Sequence, residues 1–379
     1  KLRARLFSTG DLRMKTPDAC AQARVPGAFF VLVLLLGFAA HGPAIRAPFI
    51  FDDGICIVEN ESIVSLSRIG DVLWPPVNAS GVSGRPLVNL SLALNYAWGE
   101  LDPTGYHGLN ILLHAWAAGL LMAVVAGALR RALGPAEAVK APWLALATAL
   151  VWVAHPLQTE SVACTIQRTE ILGGFFYLLT AWCFLRSTES PRPVRWWIGS
   201  VLAGLAGIAS KEIVATAPLF ILLLDRTLVA GSWREAWRRR SGLYLGLTTL
   251  WVLLGLFLFI MGGTRGDAAG FGAGPFPWWA YFLRQWDAIT TYLKLVFWPH
   301  PLVLDYGCDV VLSVREVAGR GALLFLAGGI TVWGVIRRHQ WAVAAAAFFL
   351  ILGPSSSVMP LPAQTAAEHR MYLPLAALV

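Results

Sequence analysis

Residues 26–53 read PGAFFVLVLLLGFAAHGPAIRAPFIFDD: an apolar run to residue 45, one arginine, then Phe51 and two adjacent aspartates. A helix needs some 20 mostly apolar residues to cross a bilayer. No small-residue cleavage site follows the run, so it reads as a retained first helix and not a signal peptide. The same grammar recurs along the chain. Tyr106-His107 precede the apolar stretch 108–129, His155-Pro156 close 141–157, and Glu368-His369-Arg370-Met371-Tyr372 stand where a further apolar segment begins. Ionisable groups at a membrane edge are costly to keep and therefore point to function.

Composition sets the class. The 379 residues are 57% hydrophobic and 14% charged, with a mean hydropathy of +0.62. A soluble domain is nearer a quarter charged, so the expectation is an all-α polytopic membrane protein with ten or more helices. The net charge of +8 comes from 30 basic and 22 acidic residues. In this setting basic loops orient helices and touch anionic lipid, and nucleic acid is not an expected partner. The five cysteines show no CxxC spacing, which gives no support to a metal or redox site. Cys56, Cys164 and Cys308 fall on one side, which leaves one disulfide open without fixing it. The chain starts at Lys1, and Met14 is taken as the natural start, with residues 1–13 upstream of it. Val379 lies just inside an apolar segment, so a C-terminal truncation is expected.

The candidate spanning segments are 26–45, 108–129, 141–157, 170–186, 195–210, 213–225, 241–262, 320–336, 341–359 and 371 onward. Lys and Arg orient them. Placing the tail 1–25, Arg130-Arg131, Arg186 to Arg195, Arg226 to Arg240 and Arg337-Arg338 inside gives consistent alternation. Residues 278–299 then begin and end outside and read as an amphipathic surface helix; two short spans or a re-entrant hairpin fit as well. The first outer loop, 46–107, contains a second amphipathic helix, Arg85 to Trp98, and too little core for a separate domain. No internal repeat is evident. Two regions result: a basic cytoplasmic tail, 1–25, and a transmembrane domain, 26–379.

All the polar motifs fall on the outer side. Asp52-Asp53 follow the first helix at once. Adjacent carboxylates there serve as base, hydroxyl orienter or divalent-metal ligand; the plainer reading is a polar helix end. Arg85, Arg168, Lys211 and Arg370 run against the positive-inside bias and suit an anionic headgroup, since guanidinium groups grip phosphate through two donors. The plainer reading pairs them with neighbours: Arg168 with Glu170, Lys211 with Glu212, Arg370 with Glu368. Tyr106-His107 with Asn110 and His114, and His155 with Glu160, bracket two helix ends. No HExxH spacing supports zinc, so positioning of substrate is the expected role there. Asp305-Tyr306 follow Trp298-Pro299-His300-Pro301 as a turn with aromatic anchors. Asn60, Asn78 and Asn89 stand in Asn-x-Ser contexts, from which nothing is concluded.

In order, these motifs resemble the GT-C class of polytopic glycosyltransferases, and within it the transmembrane, tetratricopeptide-repeat-bearing O-mannosyltransferase-like group with its bacterial relatives. The residues carrying the resemblance are FDD at 51–53, RPLVNLSLALNY at 85–96, GYHGLNILLHA at 105–115, AHPLQTESV at 154–162, QRTEIL at 167–172, SKEIVATAPLFILLLD at 210–225, WPHPLVLDY at 298–306 and EHRMYLP at 368–374. The resemblance covers roughly residues 26–379. It implies a GT-C-like catalytic domain that takes a mannose-like sugar from a polyprenyl- or dolichyl-phosphate donor. The sugar passes with inversion to an acceptor hydroxyl, protein Ser/Thr foremost, on the non-cytoplasmic face. By position Asp52 or Asp53 is the base, and Arg85, Arg168, Lys211 and Arg370 hold the donor phosphate. Tyr106, His107, His155, Glu160, Glu170, Glu212, Glu368, His369 and Tyr372 are candidates to position substrate. No cofactor is implied beyond a divalent metal at Asp52/Asp53, left open. The Ala/Gly-rich composition leans to a bacterial inner membrane over the endoplasmic reticulum. Where the group usually reads ERKD this chain has Gln167-Arg168-Thr169-Glu170, and no 34-residue period is present. The alternatives are a GT-C enzyme acting on a lipid or cell-wall glycan, a non-catalytic membrane subunit, or a transporter. A transporter predicts charges at mid-helix and internal symmetry, whereas the charges here cluster at helix ends.

Overall fold

The computed structural model describes residues 25–75, 81–260, 276–357, 360–361 and 364–379. Most of the basic tail, Cys20, Asn78 and the stretch 261–275 lie outside these. Among the described residues every regular element is helical. The α-helices are α1 (Gly27–His41), α2 (Ile69–Leu73), α3 (Pro86–Gly99), α4 (Pro103–Ala132), α5 (Ala141–Ala154), α6 (Thr159–Ala163), α7 (Arg168–Ser187), α8 (Pro193–Ile208), α9 (Ala217–Leu224), α10 (Trp233–Ile260), α11 (Trp278–Phe297), α12 (Val314–Arg337) and α13 (Trp341–Leu352).

Local chemistry sets several boundaries. The Asp102 carboxylate accepts from the Thr104 amide at 3.0 Å, and Pro103 occupies the first turn of α4. Both features favour a helix start. Thirty residues on, Arg130 and Arg131 lie in the last turn, where cations favour the helix dipole. The predicted helix Arg85 to Trp98 is found as α3.

Ten or more spanning helices are expected from the sequence, and the structure supports a smaller number. Helices stand at nine of the ten apolar segments, but four of them, among the described residues, are long and apolar enough to cross a membrane: Gly27–Arg46, Pro103–Ala132, Trp233–Ile260 and Val314–Arg337. A fifth follows if Ala138–Ala154 and Pro156–Ala163, bent by 55°, count as one broken span. The remaining segments give shorter or less apolar helices, and residues from 371 onward give only 3-10 turns at Pro374–Ala377. The physical reason is packing. Helix α7 is buried along most of its length and carries Arg168 and Glu170 in its first turn. It sits inside the bundle, so its sides need not be uniformly apolar.

The contacts give the helix directions. Arg168 at the start of α7 reaches Tyr106 and Asn110 near the start of α4, and Arg131 at the end of α4 donates to the Leu185 carbonyl near the end of α7 at 3.1 Å. These two helices are therefore parallel. Helices α1 and α5 run the other way: His41, at the end of α1, bonds the Val153 carbonyl, near the end of α5, at 3.0 Å, and His114 bonds the same carbonyl at 3.1 Å. Helix α11 keeps to one end of the bundle throughout. Tyr281 donates to the Ser355 carbonyl, Gln285 to that of Thr365, Tyr292 accepts from the Ala367 amide, and the Val296 carbonyl meets His155. That is the end carrying Asp52, Glu160, Lys211 and Glu368–Met371.

Candidate active site at the helix ends

Phe51 holds φ at +53°, a left-handed conformation rare for an aromatic residue. Strain of this kind persists where the surroundings enforce it and collects at functional sites. Here it lies just before the two carboxylates, which as neighbours in the chain face different ways. Asp53 points inward and is fully buried. Its Oδ1 accepts from the Ile166 amide at 2.7 Å, and its Oδ2 accepts from Thr165 and Ile50 at 3.2 Å each. Asp52 is half-buried and accepts no hydrogen bond at its carboxylate among the described residues. Burial raises its pKa above the ordinary aspartate value; His369 opposes this, while Asp53, Glu160 and Asp305 add to it.

From Asp52 a run of ionisable groups crosses the helix ends. His369 exerts the charge that Asp52 feels. Its Nδ1 lies 2.6 Å from Glu160 Oε1, its amide donates to Glu160 Oε2 at 2.8 Å, and its Nε2 is 3.9 Å from Glu170 Oε1. Glu170 in turn pairs with Lys211 Nζ. Burial pulls the Lys211 ammonium below the usual lysine range, with Glu170 acting against this and Arg85 with it. Arg85 donates to both Glu212 oxygens at 3.3 Å and to the Gly81 carbonyl at 2.7 Å. Its Nε is buried with no acceptor. Two buried acids, Glu160 and Glu170, are thus held by Lys211 and His369, with the Arg370 charge acting on both. Close approach is made possible by Gly173 and Gly174. A Cβ on the first would stand 2.9 Å from Lys211 Cβ, and on the second 2.6 Å from a Tyr372 ring carbon.

The other basic candidates are placed differently. Arg168 is fully buried. Its Nε donates to Asn110 Oδ1 at 2.7 Å, Nη1 to Asn95 Oδ1 at 2.6 Å and the Ser91 carbonyl at 3.1 Å, and Nη2 to the Tyr106 carbonyl at 2.9 Å. A guanidinium so engaged commits its donors within the protein, and Arg168, expected to hold phosphate, ties α3 and α4 to the turn that holds Asp53. Arg370 is also buried, and it donates to the Thr365 and Gln364 carbonyls and to the Tyr281 hydroxyl. The closest charged and hydrogen-bonded partners differ from the expected neighbours, although the Glu212 charge also acts on Lys211. Glu170 binds Lys211, Glu212 binds Arg85, and Glu368 accepts from the Val303 amide at 2.7 Å and the Tyr306 hydroxyl at 2.9 Å.

Four aromatic and histidine candidates act as internal fasteners. Tyr106 donates to the Glu100 carbonyl at 2.8 Å, and His107 meets that of Ala47 at 3.0 Å. His155 Nε2 lies 3.0 Å from the Val296 carbonyl while its Nδ1 accepts from Leu157 at 3.2 Å, which caps the turn after α5. Tyr372 pairs with His114 Nδ1 at 3.0 Å, and its carbonyl accepts from Trp152 and Gln158. Cys56 and Cys164 are buried thiols, and no disulfide joins any described cysteines. Among the described residues no group of three or more His, Cys, Asp or Glu is gathered as for a metal ion, and both oxygens of Asp53 are already engaged.

Sequence reasoning missed one component. A cavity of about 240 Å³ lies between the first loop and helices α8 and α10, walled by Leu73, Trp74, Leu205, Ile208, Leu253 and Phe257. Gly84 and Pro86, which flank Arg85, line it, as does Ala209, two residues before Lys211. Only the RP at 85–86 signalled it, because its walls come from three distant segments.

No family model and no solved structure matches the chain. Among curated proteins it is 28% identical over 310 residues to protein O-mannosyl-transferase Tmtc2 of Drosophila melanogaster, covering 75% of this chain and 31% of that protein. The chain is similar to the Tmtc protein O-mannosyl-transferases. Identity to the Tmtc2 counterpart of Xenopus laevis is 30% over 308 residues, with 74% of this chain and 35% of the relative covered. For TMTC4 of Mus musculus it is 35% over 145 residues, with shares of 35% and 19%. The chain thus spans about a third of the length of the Tmtc2 relatives. The resemblance read from the motifs to the O-mannosyltransferase-like group is borne out, and the apolar helices and the Tmtc relatives together make this a membrane protein.

Proposed function

We propose that this chain is the membrane-embedded part of a glycosyltransferase that moves a mannose-like sugar from a polyprenyl-phosphate donor to a protein Ser or Thr hydroxyl. One observation carries the reading. An unpartnered carboxylate, Asp52, is linked through His369, Glu170 and Lys211 to Arg85, beside an apolar cavity. That is the order of groups such a reaction needs: base, polar chamber, phosphate grip and a place for a lipid chain.

In the reaction the acceptor oxygen bonds the anomeric carbon as the bond from that carbon to the phosphate oxygen breaks. The acceptor's proton goes to Asp52, and the electron pair leaves on the lipid phosphate. Asp52 suits the base role because it carries no other hydrogen bond and its raised pKa strengthens it as a proton acceptor. Asp53 is a positioning residue, since its oxygens fix the strained turn. Arg85 brings a donor without an acceptor to the cavity edge, and Lys211 stands beside it. Charge builds on the leaving phosphate, where preorganised cations stabilise the transition state most. Glu160, His369 and Glu170 hold the chamber between these ends. The acceptor side is the non-cytoplasmic face on this reading, since the inner loops carry the arginines.

The test is transfer by the purified full chain in lipid, with labelled polyprenyl-phosphate mannose and a Ser/Thr-rich peptide. Wild type transfers; Asp52→Asn binds the donor and does not transfer. Failure to bind any donor across a panel of lipid-linked sugars overturns the reading. Donor hydrolysis without peptide transfer replaces the acceptor by a glycan or lipid.

A further inference from the structure

The first loop exposes an apolar ridge that its own packing does not require. Leu66, Ile69, Leu73 and Trp74 are between 37% and 58% exposed. Leu66–Arg68 and Ile69–Leu73 are successive short turns broken at Arg68 (φ −94°, ψ 52°), and Ile69 and Leu73, four apart in the second, share one face. Val72 points elsewhere and is fully buried against Cys56, Ile63 and Val88. Arg68 and Asp71 occupy a third face as an exposed pair at 3.7 Å. The segment thus has an inner face already buried, a polar face already paired and an apolar face left over. Contiguous exposed apolar surface of this kind marks a contact with a partner or a membrane.

What covers it follows from what it adjoins. The Trp74 ring meets Phe257 edge-on, with centroids 6.5 Å apart. Phe257 belongs to α10, one of the helices long and apolar enough to cross a membrane, whose Val252, Leu253, Leu256, Phe259 and Ile260 are 47–83% exposed. The ridge and the exposed side of α10 are one continuous apolar surface. Lipid around α10 therefore meets the ridge as well.

We infer that Leu66–Trp74 is a surface anchor. It lies flat in the leaflet that surrounds the C-terminal end of α10, with Leu66, Ile69 and Leu73 among acyl chains. Arg68 and Asp71 sit at headgroup level, and Trp74 lies at the boundary, where indole rings settle. Leu73 and Trp74 also wall the cavity assigned above to the donor's lipid chain, whereas Leu66 and Ile69 do not, so the label at 66 separates burial in the leaflet from burial in that cavity.

Depth measurements on the full chain in liposomes test it. Leu66→Cys, Leu73→Cys and, as the polar-face control, Asp71→Cys are made one at a time with Cys20 and Cys308 replaced by serine, and each is labelled with an environment-sensitive fluorophore. Labels at 66 and 73 should emit to the blue of the label at 71, be quenched several-fold more by doxyl groups on lipid chains, and resist aqueous iodide. Equal iodide quenching at all three positions overturns the anchor. So does shielding at 66 and 73 that appears only at high protein density, which assigns the ridge to a second copy. Unsubstituted protein gives an independent check: a photoactivatable lipid should modify the peptide spanning residues 66–74, and its absence from the modified peptides also overturns the anchor.

Discussion

Around Arg168 each guanidinium nitrogen meets a neutral oxygen from Asn110, Asn95, Ser91 or Tyr106, with no carboxylate in the set. Around Arg85, Lys211 and Asp52 the matching is looser: carboxylates pair with the cations, one guanidinium donor lacks an acceptor, and one carboxylate lacks a donor. Both regions lie at the same end of the bundle and consist of the same residue types. The first is finished by folding, whereas the second keeps capacity for a substrate. Polar networks that are fully satisfied rigidify a core, and incompletely satisfied ones mark sites of binding or chemistry.

Substitutions in the two regions should therefore fail in different ways. The largest effect on turnover falls on Asp52→Asn, which should cut transfer by about 10²–10⁴-fold, the range for losing a general base, while folded yield holds. Asp53→Asn should instead destabilise. It sets a new amide donor among backbone N–H groups, and orphaned buried groups cost about 1–3 kcal/mol each. A Tm fall with residual activity in the surviving fraction separates it from Asp52; equal turnover loss with unchanged Tm breaks the comparison. Arg168→Met, which orphans the oxygens of Asn95 and Asn110, should lower folded yield more than donor affinity. Arg85→Ala should do the reverse. Charged hydrogen bonds are worth about 1.5–3 kcal/mol, so donor Kd should weaken by about 10–100-fold. Titrating donor into detergent-solubilised variants reads this directly.

The smallest effect sharpens the contrast through pH. Burial raises the Asp52 pKa in the fold, so ionising it costs stability above the ordinary aspartate value of about 3.9 and costs nothing well below it. Asp52→Asn should consequently raise Tm modestly at neutral pH, and the gain should vanish on acidification. Transfer by the wild type should fall on acidification with a midpoint above that ordinary value. Thermal melts of both proteins across pH measure the first, and rate profiles the second.

Much of this was legible in the sequence, for physical reasons. Apolar length located nine helices, and the amphipathic spacing of residues 85–98 located α3. Motif order led to the O-mannosyltransferase-like group. Four or five helices are long and apolar enough to span among the described residues, fewer than the ten apolar segments, because several of those segments form helices too short or, like α7, too polar in the first turn to pass on length and apolarity. Among the site residues, type did not reveal destination. Asp52 and Asp53 are chemically identical in sequence, and only the distant amides of Thr165 and Ile166, which take up Asp53, separate them. Arg168 and Arg85 look alike until the distant asparagines and Glu212 come into view.

Tyr372 bears on how the protein is made. Its hydroxyl meets His114 across 258 residues and its carbonyl meets Trp152 across 220, while His369 reaches Glu160 across 209. A ribosome delivers the Asp52 turn long before it delivers these partners. Until residues 368–372 emerge, the nascent chamber contains buried acids with their histidine absent. Such long-range closures are slow to form, so the chamber is completed only after residues 368–372 have been made and docked.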